Sequence, residues 1–156
     1  LGSLTMNAQG TLKIGECSKD QIRNNLAVHF FNNRVPIIFQ DDTIPVKFDT
    51  GAYMSIFNRH FYESFKNALL TNGKQGTTEY GGIGGLISIY NMIHLDSLSF
   101  GVYNDTIILN DTWIHSTFIH KDTVSYYGQL GLDFVDHFHE ISIHFTPNYI
   151  HYKNGY

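Results

Sequence analysis

The stretch that decides the fold is Ile44-Pro45-Val46-Lys47-Phe48-Asp49-Thr50-Gly51-Ala52, a strand-forming run that ends in a carboxylate, a hydroxyl and a glycine. Asp49 therefore stands at a strand's end. One chemistry that uses this arrangement is acid–base activation of water. A carboxylate is fixed at a turn by backbone and hydroxyl groups, and it faces a second carboxylate that shares its proton. Gly51 lets the backbone approach closely. Taken alone, Asp49-Thr50-Gly51 reads equally well as a β-turn. Aspartate precedes Ser or Thr at Asp42, Asp49, Asp96, Asp105, Asp111 and Asp122, and only Asp49 has glycine next, so the other five read as turn or sheet-edge residues.

On either side of this run, apolar residues come in strand-length bursts at 26–31, 35–39, 87–93, 95–102 and 106–109. Asn-Asn, Asp-Asp, Asn-Asp and Gly pairs separate them, which predicts antiparallel strands in a barrel or sandwich. Two helices interrupt the pattern. In 58–70, Phe61, Phe65 and Leu69 recur every four residues behind an Asn58 cap. In 132–138, Leu132, Val135 and Phe138 share one face before the alternating Ile141-Ser142-Ile143-His144-Phe145 of a terminal hairpin, with its turn at Thr146-Pro147-Asn148.

Composition narrows the function. The chain has 156 residues, 42% apolar and 15% charged, which is enough for one core and short for two domains. A net charge of −4 without runs of like charge excludes a surface built for nucleic acid or an anionic membrane. Cys17 is the sole cysteine, so an intrachain disulfide and a thiolate zinc site are excluded. No apolar stretch reaches the roughly 20 residues of a spanning helix. The nine histidines could suggest a metal, above all His137 and His139 beside Glu140, but no HExxH is present and surface positions on a sheet account for them. No metal or organic cofactor is expected.

Two further stretches matter. Tyr80-Gly81-Gly82-Ile83-Gly84-Gly85 reads as a mobile hairpin tip; position 87 is Ile and no helix follows, so it is not a phosphate-binding loop. Tyr127-Gly128-Gln129-Leu130-Gly131-Leu132-Asp133-Phe134-Val135 places an apolar-Gly pair ahead of a short helix. In order and spacing, the three stretches resemble the retropepsin-like aspartic proteases, most of all the bacterial families of that kind, over roughly residues 26–152.

That resemblance implies a mainly β, closed or partly open acid-protease barrel lobe spanning 26–156, with 1–25 as an N-terminal extension or linker from a longer chain. It makes Asp49 the catalytic carboxylate, with Thr50 bracing the paired loops, Gly51 allowing close approach and Ala52 lining the cleft. Tyr80, Gly81, Gly82, Ile83, Gly84 and Gly85 would form a substrate-covering flap. Leu130-Gly131 would pack under the catalytic turn, with Asp133 structural. Tyr53 departs from the family's pattern, where a small or polar residue is usual, and would narrow the cleft. The helix from Asn58 would be an insertion relative to compact viral members. The mechanism needs two aspartates and this chain supplies one Asp-Thr-Gly, so the second comes from a homodimer partner or from a related N-terminal lobe. The expected ligand is an extended peptide or protein substrate, and the Met-less start fits an exported, periplasmic or extracellular parent. The alternatives are a noncatalytic peptide-binding or dimerisation module of the same fold, and an unrelated barrel that binds a small ligand.

Overall fold

The computed structural model describes residues 3–7, 12–15, 25–26, 33–82, 85–102, 105–116, 125–145 and 148–154. Its strands are β1 (Ser3–Asn7), β2 (Leu12–Gly15), β3 (Asn25–Leu26), β4 (Arg34–Phe39), β5 (Asp42–Phe48), β6 (Ile56–Phe57), β7 (Lys74–Gly82), β8 (Gly85–Val102), β9 (Asp105–His115), β10 (Gly128–Leu130), β11 (Phe138–Phe145) and β12 (Asn148–Asn154). The helices are α1 (Arg59–Asn72) and α2 (Leu132–Val135).

Six strands close a barrel in the order β4-β5-β10-β6-β9-β8, sealed where Ile38 of β4 pairs with Gly101 of β8. The chain is thus mainly β with a closed barrel. A second, antiparallel sheet has the order β2-β1-β11-β12-β3. Ser3–Asn7 pairs along β11, so part of the segment read as preceding the lobe is built into this sheet.

The hairpin joining β4 to β5 turns through Gln40 and Asp41, both at positive φ (49° and 69°), which matches the right-handed twist of the strands it connects. Not every pairing is antiparallel, however. β10 lies parallel to β5 and β6 parallel to β9. The bursts at 87–93 and 95–102 form one 18-residue strand. Within it the core-facing phase shifts. Ile93 and Leu95 are buried on one side of Asp96, and Leu98, Phe100 and Val102 on the other. On β9 the same shift separates Ile107 and Leu109 from Thr112 and Ile114, at Asp111, whose φ is 49°. The Asp96 and Asp111 expected at turns or edges therefore mark a bend within a ribbon, with His94 between them (Nδ1 to Asp96 3.7 Å, Nε2 to Asp111 3.4 Å).

The α1 helix starts where Asn58 Oδ1 accepts from the His60 and Phe61 N–H groups, satisfying two of the donors that a helix start leaves free. Its four-residue stripe of Phe61, Phe65 and Leu69 is buried. Phe61 packs on Phe57 and Phe39, with ring centroids 4.4 and 4.9 Å apart. In α2 the expected face is wrong. Leu132 is 37% exposed and Phe134 is 3% exposed, since the helix has a single turn and Phe138 already belongs to β11. Phe134 packs against Phe48, Phe100 and Phe138 and so joins the base of the barrel to the terminal sheet. Residues 146–147, the expected hairpin turn, lie outside the described residues.

Candidate active site

Strand β5 ends at Phe48, whose side chain is buried, and the two-residue period of the strand turns Lys47 and Asp49 to the same side. The turn that follows closes on itself: the Ala52 N–H donates to the Asp49 carbonyl (3.1 Å) and the Gly51 N–H to Asp49 Oδ1 (3.1 Å). Lys47 Nζ donates to Asp49 Oδ2 at 2.8 Å. That hydrogen bond holds the Asp49 carboxyl below the usual carboxylate range, with the Gly51 N–H and the nearby positive charge adding to it and partial burial opposing it.

Strand β10 fixes the turn from below. The Asp49 N–H donates to the Leu130 carbonyl and the Leu132 N–H to the Ala52 carbonyl, each at 2.9 Å. Only glycine fits between these attachments: a Cβ on Gly131 would lie 2.6 Å from the Met54 carbonyl carbon and 2.7 Å from the Ala52 oxygen. Gly128 is as tightly placed, 2.6 Å from the Ile56 oxygen. Ser55, almost fully buried, ties the two turns together. Its N–H and hydroxyl donate to Asp133 (2.8 and 2.6 Å), and its oxygen accepts from the Gly131 N–H (2.9 Å). Asp133 also accepts from its neighbour, the Phe134 N–H.

Above the barrel β7 and the first part of β8 run on together. Residues 85–91 of β8 pair with β7 alone, because β9 ends at the Met92–His115 pair. The β7–β8 arm leaves the barrel at a register shift between Gly76 and Thr78 and at Asn91, which takes a φ of 57° and accepts hydrogen bonds at its carbonyl from the Ser116 N–H and hydroxyl. Gly81 and Gly82 lie on β7 and Gly85, at φ 104°, starts β8. Ile83 and Gly84, the expected tip, lie outside the described residues, as does the Tyr80 side chain.

A cavity of about 580 Å³ opens at this point. It is lined by Asp49, Gly51 and Ala52 of the turn, Tyr53 and Met54 beyond it, Glu79 of β7 and Gln129 of β10. Of the expected turn residues, Asp49, Gly51 and Ala52 line the cavity, while Thr50 is exposed and its hydroxyl has no partner among the described residues. Tyr53 is 81% exposed at the cavity's edge. Two residues that sequence analysis missed are Lys47 and Glu79. Strand alternation from Asp49 could have revealed Lys47; Glu79 is thirty residues away and only the fold brings it to the cavity.

Among the described residues no group of three or more His, Cys, Asp or Glu side chains is placed to hold a metal ion, and no helix is long and apolar enough to cross a membrane. No protein-family model matches this chain, and no curated protein matches it.

Proposed function

We propose that this chain is one lobe of a retropepsin-like aspartic endopeptidase, in which Asp49 is one carboxylate of a catalytic pair and a second lobe supplies the other. The observation that supports it is the setting of Asp49: at a strand's end, one oxygen on a backbone N–H, and on the wall of an open cavity that a two-stranded arm also reaches. In such a pair, the ionised carboxylate takes a proton from water as the oxygen attacks the peptide carbonyl, and the protonated one donates to the carbonyl oxygen. Two carboxylates so close cannot both ionise, and the proton they share divides these roles. The Thr50 hydroxyl, which has no partner among the described residues, is exposed and available to a second lobe.

Lys47 bears directly on this. In the single lobe its ammonium neutralises Asp49, so it must leave Oδ2 before two carboxylates can share a proton; a half-exposed lysine on a flexible stem can do so. The same ion pair favours a second reading. A carboxylate kept ionised by its own lysine could hold a peptide without cleaving it, as a binding or dimerisation module would.

Incubating the chain with a mixed peptide library from mildly acidic to neutral pH separates the two. The peptidase reading expects cleavage that rises with protein concentration or with a supplied related lobe, and that Asp49→Asn abolishes. Peptide binding without cleavage under every such condition would leave the binding module.

A further inference from the structure

The cavity's charge is lopsided. Among the described residues, the acids lining it are Asp49 and Glu79, and no basic residue lines it. Asp49 already has a counter-ion, because Lys47 sits 2.8 Å from its Oδ2. Glu79 has none: its carboxylate is exposed and makes no hydrogen bond or ion pair with any described residue. Tyr53, on the same cavity, is 81% exposed, more than any other large apolar side chain described, and its ring makes no aromatic contact with another described residue. An aromatic face and an uncompensated carboxylate around one open volume are complementary to a cation. The carboxylate supplies charge-assisted hydrogen bonds and the ring quadrupole attracts a positive group within about 6 Å of its centroid.

We infer that this cavity takes a cationic side chain, lysine or arginine, of an extended peptide ligand, held by Glu79 with Tyr53 as the facing surface. The inference deepens the proposed function and rests on it for the peptide, although the recognition of the cation stands apart from any cleavage. A β-strand arm is a suitable carrier for such a residue. Glu79 sits in a regular stretch of β7, opposite Ser88, and a peptide lying along the arm in extended form would present alternate side chains to it.

The test uses extended peptides in which each position in turn is arginine, norleucine or glutamate. Both the affinity, from fluorescence anisotropy before turnover sets in, and the cleavage rate are measured for the whole chain. At one position arginine should exceed norleucine by about tenfold and glutamate by more, as expected for a charge-assisted pair at a partly exposed site. Glu79→Gln should reduce the arginine-to-norleucine ratio to within about twofold, and Tyr53→Leu should lower it part of the way. Asp96→Asn, which removes the same charge from an exposed site off the cavity, should leave the ratio as it is. An equal loss in Asp96→Asn would mean that the chain's overall negative charge attracts the cation, and would overturn the inference. So would arginine and norleucine peptides that behave alike, or the absence of measurable binding to any of them. Cleavage without charge preference overturns the subsite and leaves the peptidase; Glu79-dependent binding with no cleavage at any concentration overturns the peptidase and leaves the subsite.

Discussion

Two turns meet beneath the cavity, each carrying an aspartate, and the fold uses the two carboxylates in opposite ways. Asp133 accepts from the Ser55 N–H, the Ser55 hydroxyl and the Phe134 N–H, donors fixed by backbone or burial. Asp49 accepts from one backbone N–H and from the ammonium of a partly exposed lysine, and it faces open volume. A carboxylate has about four acceptor positions. Where rigid donors fill most of them the group is a brace; where a mobile cation fills one and the rest face a cavity, the group is free to meet water or a ligand.

The sharpest way to break this contrast is to neutralise each carboxylate in turn. Asp49→Asn should lower peptide cleavage by several orders of magnitude while the thermal midpoint stays near that of the parent chain, because the amide keeps the shape but cannot take a proton from water. Asp133→Asn should do the reverse. It leaves an amide against the Ser55 N–H and hydroxyl, and denaturant unfolding should report a loss of about 2–4 kcal/mol. If Asp133→Asn proves as stable as the parent, the division between brace and reactive group is wrong.

The brace also depends on the glycine beside it. Gly131→Ala pushes a methyl into the Met54 and Ala52 backbone, neither of which is the end of a flexible side chain, so a loss of roughly 1–3 kcal/mol is expected in the same unfolding experiment. A neutral result would mean that the two turns are less closely tied than the 2.6 and 2.7 Å approaches require.

Lys47→Met should have the smallest effect on stability and the most informative one on charge. With the ammonium gone, the Asp49 carboxyl should titrate higher, toward the ordinary carboxylate range, in a carbon-detected NMR titration. The folded-state value is depressed, so the ion pair adds stability at neutral pH that is lost as pH falls through that value. With side-chain exposures of 36% and 31%, the contribution should be below about 1 kcal/mol. The two chains should therefore differ slightly near pH 7 and converge in acid. An unchanged Asp49 titration would remove Lys47 from the site.

What the sequence made legible was local. Asn58 and the Phe61, Phe65 and Leu69 stripe announce α1 because a cap and a 3.6-residue period are written within one segment. The strand-end Asp49-Thr50-Gly51 turn is local as well. The Ser55–Asp133 bonds span 78 positions, and Glu79 reaches the cavity only through the β7–β8 arm, so no short-range pattern encodes either. The parallel β10–β5 and β6–β9 pairs were hidden for the same reason, since turn residues describe neighbours in sequence and these strands are not. Phe134, rather than Leu132, faces the core because the Asp133 contacts orient a helix too short to have a period of its own.

If Asp49 works only opposite a second carboxylate, sedimentation and peptide cleavage measured on the same samples across a concentration series will show it. No cleavage is expected where sedimentation shows monomer, with activity rising as the square of concentration where the chain pairs with itself, or appearing only when a related lobe is added. Robust, Asp49-dependent cleavage by a demonstrated monomer would contradict it.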